Sequence, residues 1–172
     1  MITIENKLLL RKANASDLES LYILKNDVDS NAMLGQGFYR GYSKEDMAKW
    51  IEFHNNATNE VLFVIQDIQC QKLIGHVGLY NIDYRNRKAE FAILIADKES
   101  RGKGYGKLCT QFMVSYGYEQ LNLNRVELSV IEDNPIAISL YEKIGFEKEG
   151  LLKQSLYKNG KYHNVVLMAK LK

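Results

Sequence analysis

Residues 88–131 read KAEFAILIADKESRGKGYGKLCTQFMVSYGYEQLNLNRVELSVI. A β-type run, KAEFAILIA, leads into SRGKGYGK at 100–107. An apolar run at helical spacing follows, and then a second β-type run, RVELSVI. Strand, glycine turn, helix and strand make one crossover unit, so the stretch predicts two parallel strands in one sheet. Leu108, Phe112 and Tyr116 lie four apart and predict the apolar stripe of the helix.

The flanks supply the rest of the sheet. Upstream, LLLRKA from Leu8 reads as a strand. SDLESLYILKN from Ser16 reads as a helix, with Ser16 and Glu19 at capping-box spacing. Ser43 and Asp46 announce a second helix carrying Met47, Trp50, Ile51 and His54. VLFVIQD and KLIGHVGLYNI are two more strands, separated from each other and from the quoted stretch by polar turns. Downstream, Asn134-Pro135 opens a helix that Gly145 is placed to end, with Ala137, Leu140, Tyr141 and Ile144 as its stripe. Asn159-Gly160 between strand-like runs marks a closing hairpin. The prediction is an α/β (α+β) chain: a mixed sheet of about seven strands, about four helices and one parallel pair.

The 172 residues suit a single domain spanning 1–172, and no repeat, linker or low-complexity tract divides them. No apolar run is long enough for a membrane span, and the N-terminal stretch has no secretory pattern. Cys70 and Cys109 stand alone, which fits a reducing cytoplasm. The net charge of +2 argues against general nucleic-acid binding. The charge is uneven, however. Residues 85–107 hold seven cations against three acids, which allows one local basic site for a phosphorylated ligand. His54, His76 and His163 show no metal-ligand spacing.

A strand that runs through glycines into a helix builds an anion site. The first helical amides have no internal partner, and the helix dipole adds positive charge. Arg101, Lys103 and Lys107 add more. A P-loop is excluded because Leu108 follows Gly106-Lys107 where Ser or Thr is required. The dinucleotide fingerprint is excluded because Gly102, Gly104 and Gly106 are one residue too closely spaced. What remains is Arg-x-x-Gly-x-Gly, met by Arg101, Gly104 and Gly106.

That pattern resembles the pyrophosphate loop of the GNAT superfamily of acyl-CoA-dependent N-acetyltransferases. A second block resembles it too: Asn134, Ala137, Tyr141, Gly145 and Phe146 match the family's Asn-x-x-Ala-x-x-x-Tyr-x-x-x-Gly-Phe segment. The likeness spans about Leu8 to Lys170 and implies a GNAT-like sheet whose splayed parallel pair binds acetyl-CoA. It implies that Gly102, Lys103, Gly104, Tyr105, Gly106 and Lys107, with Arg101, hold the coenzyme pyrophosphate. Main-chain groups near Ile93 and Ile95 would pair with the pantetheine amides, and Asn134 would touch the same arm.

The implied reaction is direct attack of an amine on a thioester in a ternary complex. An alkyl ammonium of pKa ~10 costs about 4 kcal/mol to deprotonate at pH 7, so a proton acceptor helps. Glu90 is the candidate, because alternation turns it away from Phe91, Ile93 and Ile95. An orienting role for Glu90 stays open, and His76 is a second candidate, though a hydrogen-bonded sheet histidine is the simpler reading. Tyr141 is seven residues after Asn134, on the same helical face and about 10 Å along the axis. The family places its general acid at this tyrosine, and a core aromatic is the alternative. Cys109 lies on the apolar side of its helix, which disfavours a ping-pong cysteine.

Within the superfamily the chain resembles spermidine, amino-sugar-nucleotide and ribosomal-protein N-terminal acetyltransferases. A primary amine of a small molecule, of polyamine or amino-sugar type, is the leading acceptor. A protein N-terminus and a non-catalytic acyl-CoA-binding module are the alternatives. The acceptor site is expected from the Asn26–Tyr42 connection, the second helix and the closing hairpin. Phe38, Tyr39, Arg40 and Tyr42 make that connection aromatic, with acids only at Asp27 and Asp29, which suits a sugar nucleotide better than a polycation. A homodimer is a further expectation from the family.

Overall fold

A computed structural model describes residues 1–28 and 41–172. Its strands are β1 (Ile2–Ile4), β2 (Leu8–Arg11), β3 (Val61–Asp67), β4 (Lys72–Asp83), β5 (Lys88–Ile95), β6 (Arg125–Ile131), β7 (Glu147–Lys158) and β8 (Lys161–Leu171). Among the described residues the longer helices are α1 (Leu18–Asn26), α2 (Lys44–Asn56), α3 (Tyr105–Glu119) and α4 (Pro135–Ile144). None of these helices is long and apolar enough to cross a membrane.

All eight strands form one sheet in the order β1-β2-β3-β4-β5-β6-β8-β7. Every neighbouring pair is antiparallel except β5 with β6, the crossover predicted from the glycine stretch. The eighth strand was not expected. It spans three residues, too few for an alternating pattern to register, and it is folded onto β2 by a turn at Glu5 and Asn6.

Helices cover both faces. One core packs Tyr105, Cys109 and Met113 of α3 and Ile138 of α4 on Val77, Leu79 and Phe91. The other packs Leu21 of α1 and Met47 and Ile51 of α2 on Val64 and Leu73. A side chain as fully covered as Met47 or Met113 contributes about 2 kcal/mol.

The caps follow the sequence with one exception. Ser43 and Asp46 form the capping box of α2, and Asn159-Gly160 turns β7 into β8 with both residues at positive φ. For the first helix the box is Asn14 with Asp17, not Ser16 with Glu19. It caps a short 3-10 turn, Ala15–Asp17, that precedes α1. Arg11 secures this entry by donating to both oxygens of Asp17 at 2.6 and 2.7 Å. A partner six residues upstream thus decides the cap, and the spacing rule does not contain it.

Two stripes are also displaced. In α3 the buried residues are Tyr105, Cys109, Thr110, Met113, Val114 and Gly117, a face turned away from Leu108, Phe112 and Tyr116, which are only partly covered. In α4 the only buried residue is Ile138. Ala137, Leu140 and Tyr141 line a cleft instead.

Candidate active site

Strands β5 and β6 pair at Lys88↔Arg125, Ala89↔Val126 and Glu90↔Glu127, and then part. Each stays held on its other side: β5 by β4 as far as Ile95, and β6 by β8 as far as Ile131. The gap between them therefore stays open, and α3 and α4 flank it. The resulting cavity is about 400 Å³.

The cavity gathers Glu90, Ile93, Ile95, Arg101, Gly106, Asn134 and Tyr141 from the sequence-predicted set. Gly102, Lys103, Gly104 and Lys107 are exposed and are not in its wall. Tyr105 differs from expectation. Its side chain turns into the core and donates to Asp67 at 2.9 Å, so only its main chain can face a ligand in the loop. Arg101 is exposed and reaches back to the carbonyls of Ile95 and Ala96 at 3.3 and 3.4 Å, so it links the end of β5 to the loop as well as carrying charge. Thr110, Ser129 and Ile136 also line the cavity and were not predicted. Ile136 carried a signal: it is apolar but off the α4 stripe, and it is 82% exposed.

The loop leaves the first amides of α3 outside the helical ladder. Gly104 is the N-cap of α3 at φ 81°, no side chain among the described residues caps the helix, and the first ladder bond runs from Leu108 N–H to the Gly104 carbonyl. The amides of Tyr105, Gly106 and Lys107 are thus outside the helical ladder.

Asn134 caps α4 by accepting the Ala137 amide at 3.2 Å while lining the cavity, so capping leaves it in the cavity wall. Tyr141 stands edge-on to Phe91 and Phe146, with centroids at 6.1 and 5.8 Å. Burial pushes its phenol up to about 12. Its ring packs against the core and also lines the cleft.

Across the opposite sheet face, the register aligns Tyr80, Glu90 and Glu127. Glu127 is taken by Lys88 at 3.2 Å and Arg125 at 2.7 Å. Glu90 receives only the Asn81 amide, at 3.1 Å, and no cation among the described residues meets it. His76 lies on this face beside Trp50, 5.4 Å between centroids. It is not the hydrogen-bonded histidine expected, since both ring nitrogens are buried without a partner among the described residues. Burial, with Lys25 and His54 nearby, pushes its pKa well down, so the ring is uncharged.

Asn26 and Tyr42 close the connection between α1 and α2 at its base, exchanging bonds of 2.9 and 3.0 Å. Asp29, Phe38, Tyr39 and Arg40 lie outside the described residues. A larger hollow, about 680 Å³, lies on the far side of α4 between Ile138, Glu142, Lys148 and Leu151. None of the predicted site residues lines it, so the smaller cleft is the candidate site.

Cys109 is fully buried, and desolvation raises its thiol to about 12. Cys70 is exposed. Iodoacetamide should label Cys70 alone in the native protein, and Cys109→Ala should retain transfer within about threefold. Loss of transfer in that variant would reinstate a cysteine intermediate. Among the described residues no group of three His, Cys, Asp or Glu side chains could hold a metal ion.

Comparison with known proteins agrees with this geometry. The family described as acetyltransferase (GNAT) domain matches residues 10–167. Spermidine N(1)-acetyltransferase of Vibrio cholerae is 34% identical over 163 residues, 95% of this chain and 92% of that one. A putative ribosomal N-acetyltransferase of Bacillus subtilis is 39% identical over 148 residues, 76% of this chain and 80% of that one. The crystal structure of the Vibrio cholerae spermidine N-acetyltransferase in complex with CoA and spermine superposes with a TM-score of 0.87 at 33% identity. The match covers 97% of this chain and 96% of that one.

Proposed function

The chain belongs to the GNAT acetyltransferase family and is an acetyl-CoA-dependent N-acetyltransferase, and on that footing we propose how its cleft performs the transfer and to what acceptor. The amides that open α3, with Arg101, Lys103 and Lys107 around them, hold the coenzyme diphosphate. The pantetheine arm lies in the gap beyond Glu90 and Glu127. There the main chain of Ile93 and Ile95 offers it an unpaired strand edge, and Asn134 contacts it from the other wall. The arm delivers the thioester carbonyl between Glu90 and Tyr141.

The acceptor is the primary amine of a small molecule, of polyamine or amino-sugar type. Glu90 carries this reading, because it lines the cleft and has no cation against it among the described residues. An incoming ammonium meets its carboxylate, which orients the amine and takes its proton directly or through water. The neutral amine attacks the carbonyl carbon to form a tetrahedral adduct. As the C–S bond breaks, the electron pair goes to sulfur and the Tyr141 hydroxyl supplies the proton that leaves CoA as a thiol. The extra proton on the attacking nitrogen is shed through water and restores the phenol. Both substrates are bound together, so the acetyl group passes straight from sulfur to nitrogen.

We assign residues 1–172 to one acetyltransferase domain working in the cytoplasm, in keeping with its two free cysteines. We also infer a homodimer. Residues 147–155 of the edge strand β7 are exposed throughout, Leu151 and Leu152 among them, and an uncovered edge of that kind favours pairing.

The test measures CoA thiol release from acetyl-CoA with spermidine, an amino-sugar nucleotide and a peptide with N-terminal alanine or serine. Turnover with a free amine is the expected result. Turnover confined to the peptide would move the acceptor to a protein N-terminus. CoA binding without release for any acceptor would make the chain an acyl-CoA-binding module.

A further inference from the structure

The turn from β3 to β4, residues 67–72, lies against both ends of the glycine loop. Asp67 closes β3 and Lys72 opens β4, and the two are register partners. At the loop's entry, Lys72 Nζ meets Asp97 Oδ1 at 2.5 Å, and the other Asp97 oxygen accepts the Ser100 hydroxyl at 2.6 Å. At its exit, Asp67 Oδ2 accepts the Tyr105 hydroxyl at 2.9 Å, and Tyr105 directly follows Gly104. Ser100, Asp67 and Tyr105 are 3, 2 and 6% exposed, whereas residues 101–104 between these anchors are exposed throughout.

None of this set lines the cleft, so the transfer chemistry does not account for it. Asp67 is a costly choice, because a carboxylate close to a diphosphate site repels the ligand. Burial would raise its pKa, but hydrogen bonds from Tyr105 and from the Gln69 and Cys70 amides, with Lys103 nearby, outweigh that and hold the carboxyl below its usual range. It therefore stays charged and keeps its grip on Tyr105. The stretch it helps to fix carries two glycines at positive φ, Gly102 and Gly104, and is soft without anchors.

We propose that the β3–β4 turn is a two-point brace, in which Asp67 and Lys72 are positioning residues that hold the two ends of the coenzyme loop in the binding conformation. The proposal rests on the reading that residues 102–107 hold the diphosphate of acetyl-CoA. Without the brace the free loop samples other shapes, and coenzyme affinity falls by the fraction of molecules in the competent one.

The test compares wild type with Tyr105→Phe, Asp67→Asn and Lys72→Met. CoA affinity is read by calorimetry, KM and kcat by steady-state kinetics with an acceptor that turns over, and Tm by melting. Tyr105→Phe and Lys72→Met should each weaken CoA and raise KM for acetyl-CoA about three- to tenfold. Saturating kcat and the acceptor KM should stay within about twofold. Asp67→Asn keeps an oxygen for Tyr105 but loses the charge that strengthens the bond, so it should weaken CoA in the same direction and by less. Lys72 is half exposed, so Lys72→Met tests the brace even if Tyr105→Phe folds poorly.

A lower Tm with unchanged CoA affinity in Tyr105→Phe and Lys72→Met would make these contacts merely structural and overturn the brace. Gly104→Val separates the two levels. If it weakens CoA and the brace variants do not, the brace alone fails. If it also leaves CoA affinity intact, the reading of the loop fails and the brace with it.

Discussion

Tyr141→Phe should lower kcat about a hundredfold while leaving KM for acetyl-CoA close to wild type. The substitution removes one oxygen and keeps the ring, so the edge-on contacts with Phe91 and Phe146 survive and the fold should not suffer. The expected loss is at the lower end of what general acids contribute. A CoA thiolate is already a fair leaving group, with a conjugate acid of pKa ~8.5. The phenol, held up at about 12, is the weaker acid, so it helps only as the C–S bond breaks and charge builds on sulfur.

The sign of the shift fixes the pH behaviour. Burial raises the folded-state pKa, so the phenol keeps its proton as pH climbs through 10 and loses it only near 12. The activity of the wild type should therefore rise with pH as the acceptor amine deprotonates, and Tyr141 should cause no decline up to pH 10. A wild-type decline with a midpoint near 9 that vanished in Tyr141→Phe would refute the buried phenol. An unchanged kcat in Tyr141→Phe would remove the acid from the mechanism.

The parts of this site that the sequence announces depend on local chemistry. Gly102 and Gly104 both take left-handed backbone, which glycine adopts at no steric cost. Asn134-Pro135 predicts a helix entry, and Asn159-Gly160 a tight hairpin. In each case the residue itself creates the conformation, so no distant partner is needed. The parting of β5 from β6 came from the family likeness rather than from any residue pattern.

What stayed hidden depends on partners far away in the chain. Tyr105 looks like a loop residue until Asp67, 38 positions upstream, takes its hydroxyl. Asn14 wins the first cap because Arg11 holds Asp17. The α4 stripe was legible as an apolar face, but periodicity does not say what covers a face, and here the face borders a cleft. His76 shows the same limit from the other side. Alternation placed it in the sheet, but only the packing of α2 shows that its nitrogens have no partner among the described residues.

Gly104→Val should cut kcat/KM for acetyl-CoA by about a hundredfold, chiefly through KM. The residue caps α3 at φ 81°, a left-handed conformation that costs an ordinary L-residue about 1–2 kcal/mol and a β-branched one more. Crowding within the protein is not the cause, because a Cβ built there meets no atom within 4 Å. The valine variant must either strain the cap or move the loop, and moving it redirects the amides that open α3.

Gly104→Asn separates backbone conformation from ligand contact. Asparagine tolerates left-handed backbone, so it should recover most of the lost affinity if conformation alone matters. If the diphosphate lies directly on the backbone at this turn, any side chain is in its way, and the asparagine variant should bind CoA as poorly as the valine one. Calorimetry with CoA on both variants, alongside melting curves to show that they are folded, distinguishes these outcomes. Wild-type affinity in Gly104→Val would mean that the coenzyme is held elsewhere, and the roles drawn for Asn134, Glu90 and Tyr141 would lose their common origin.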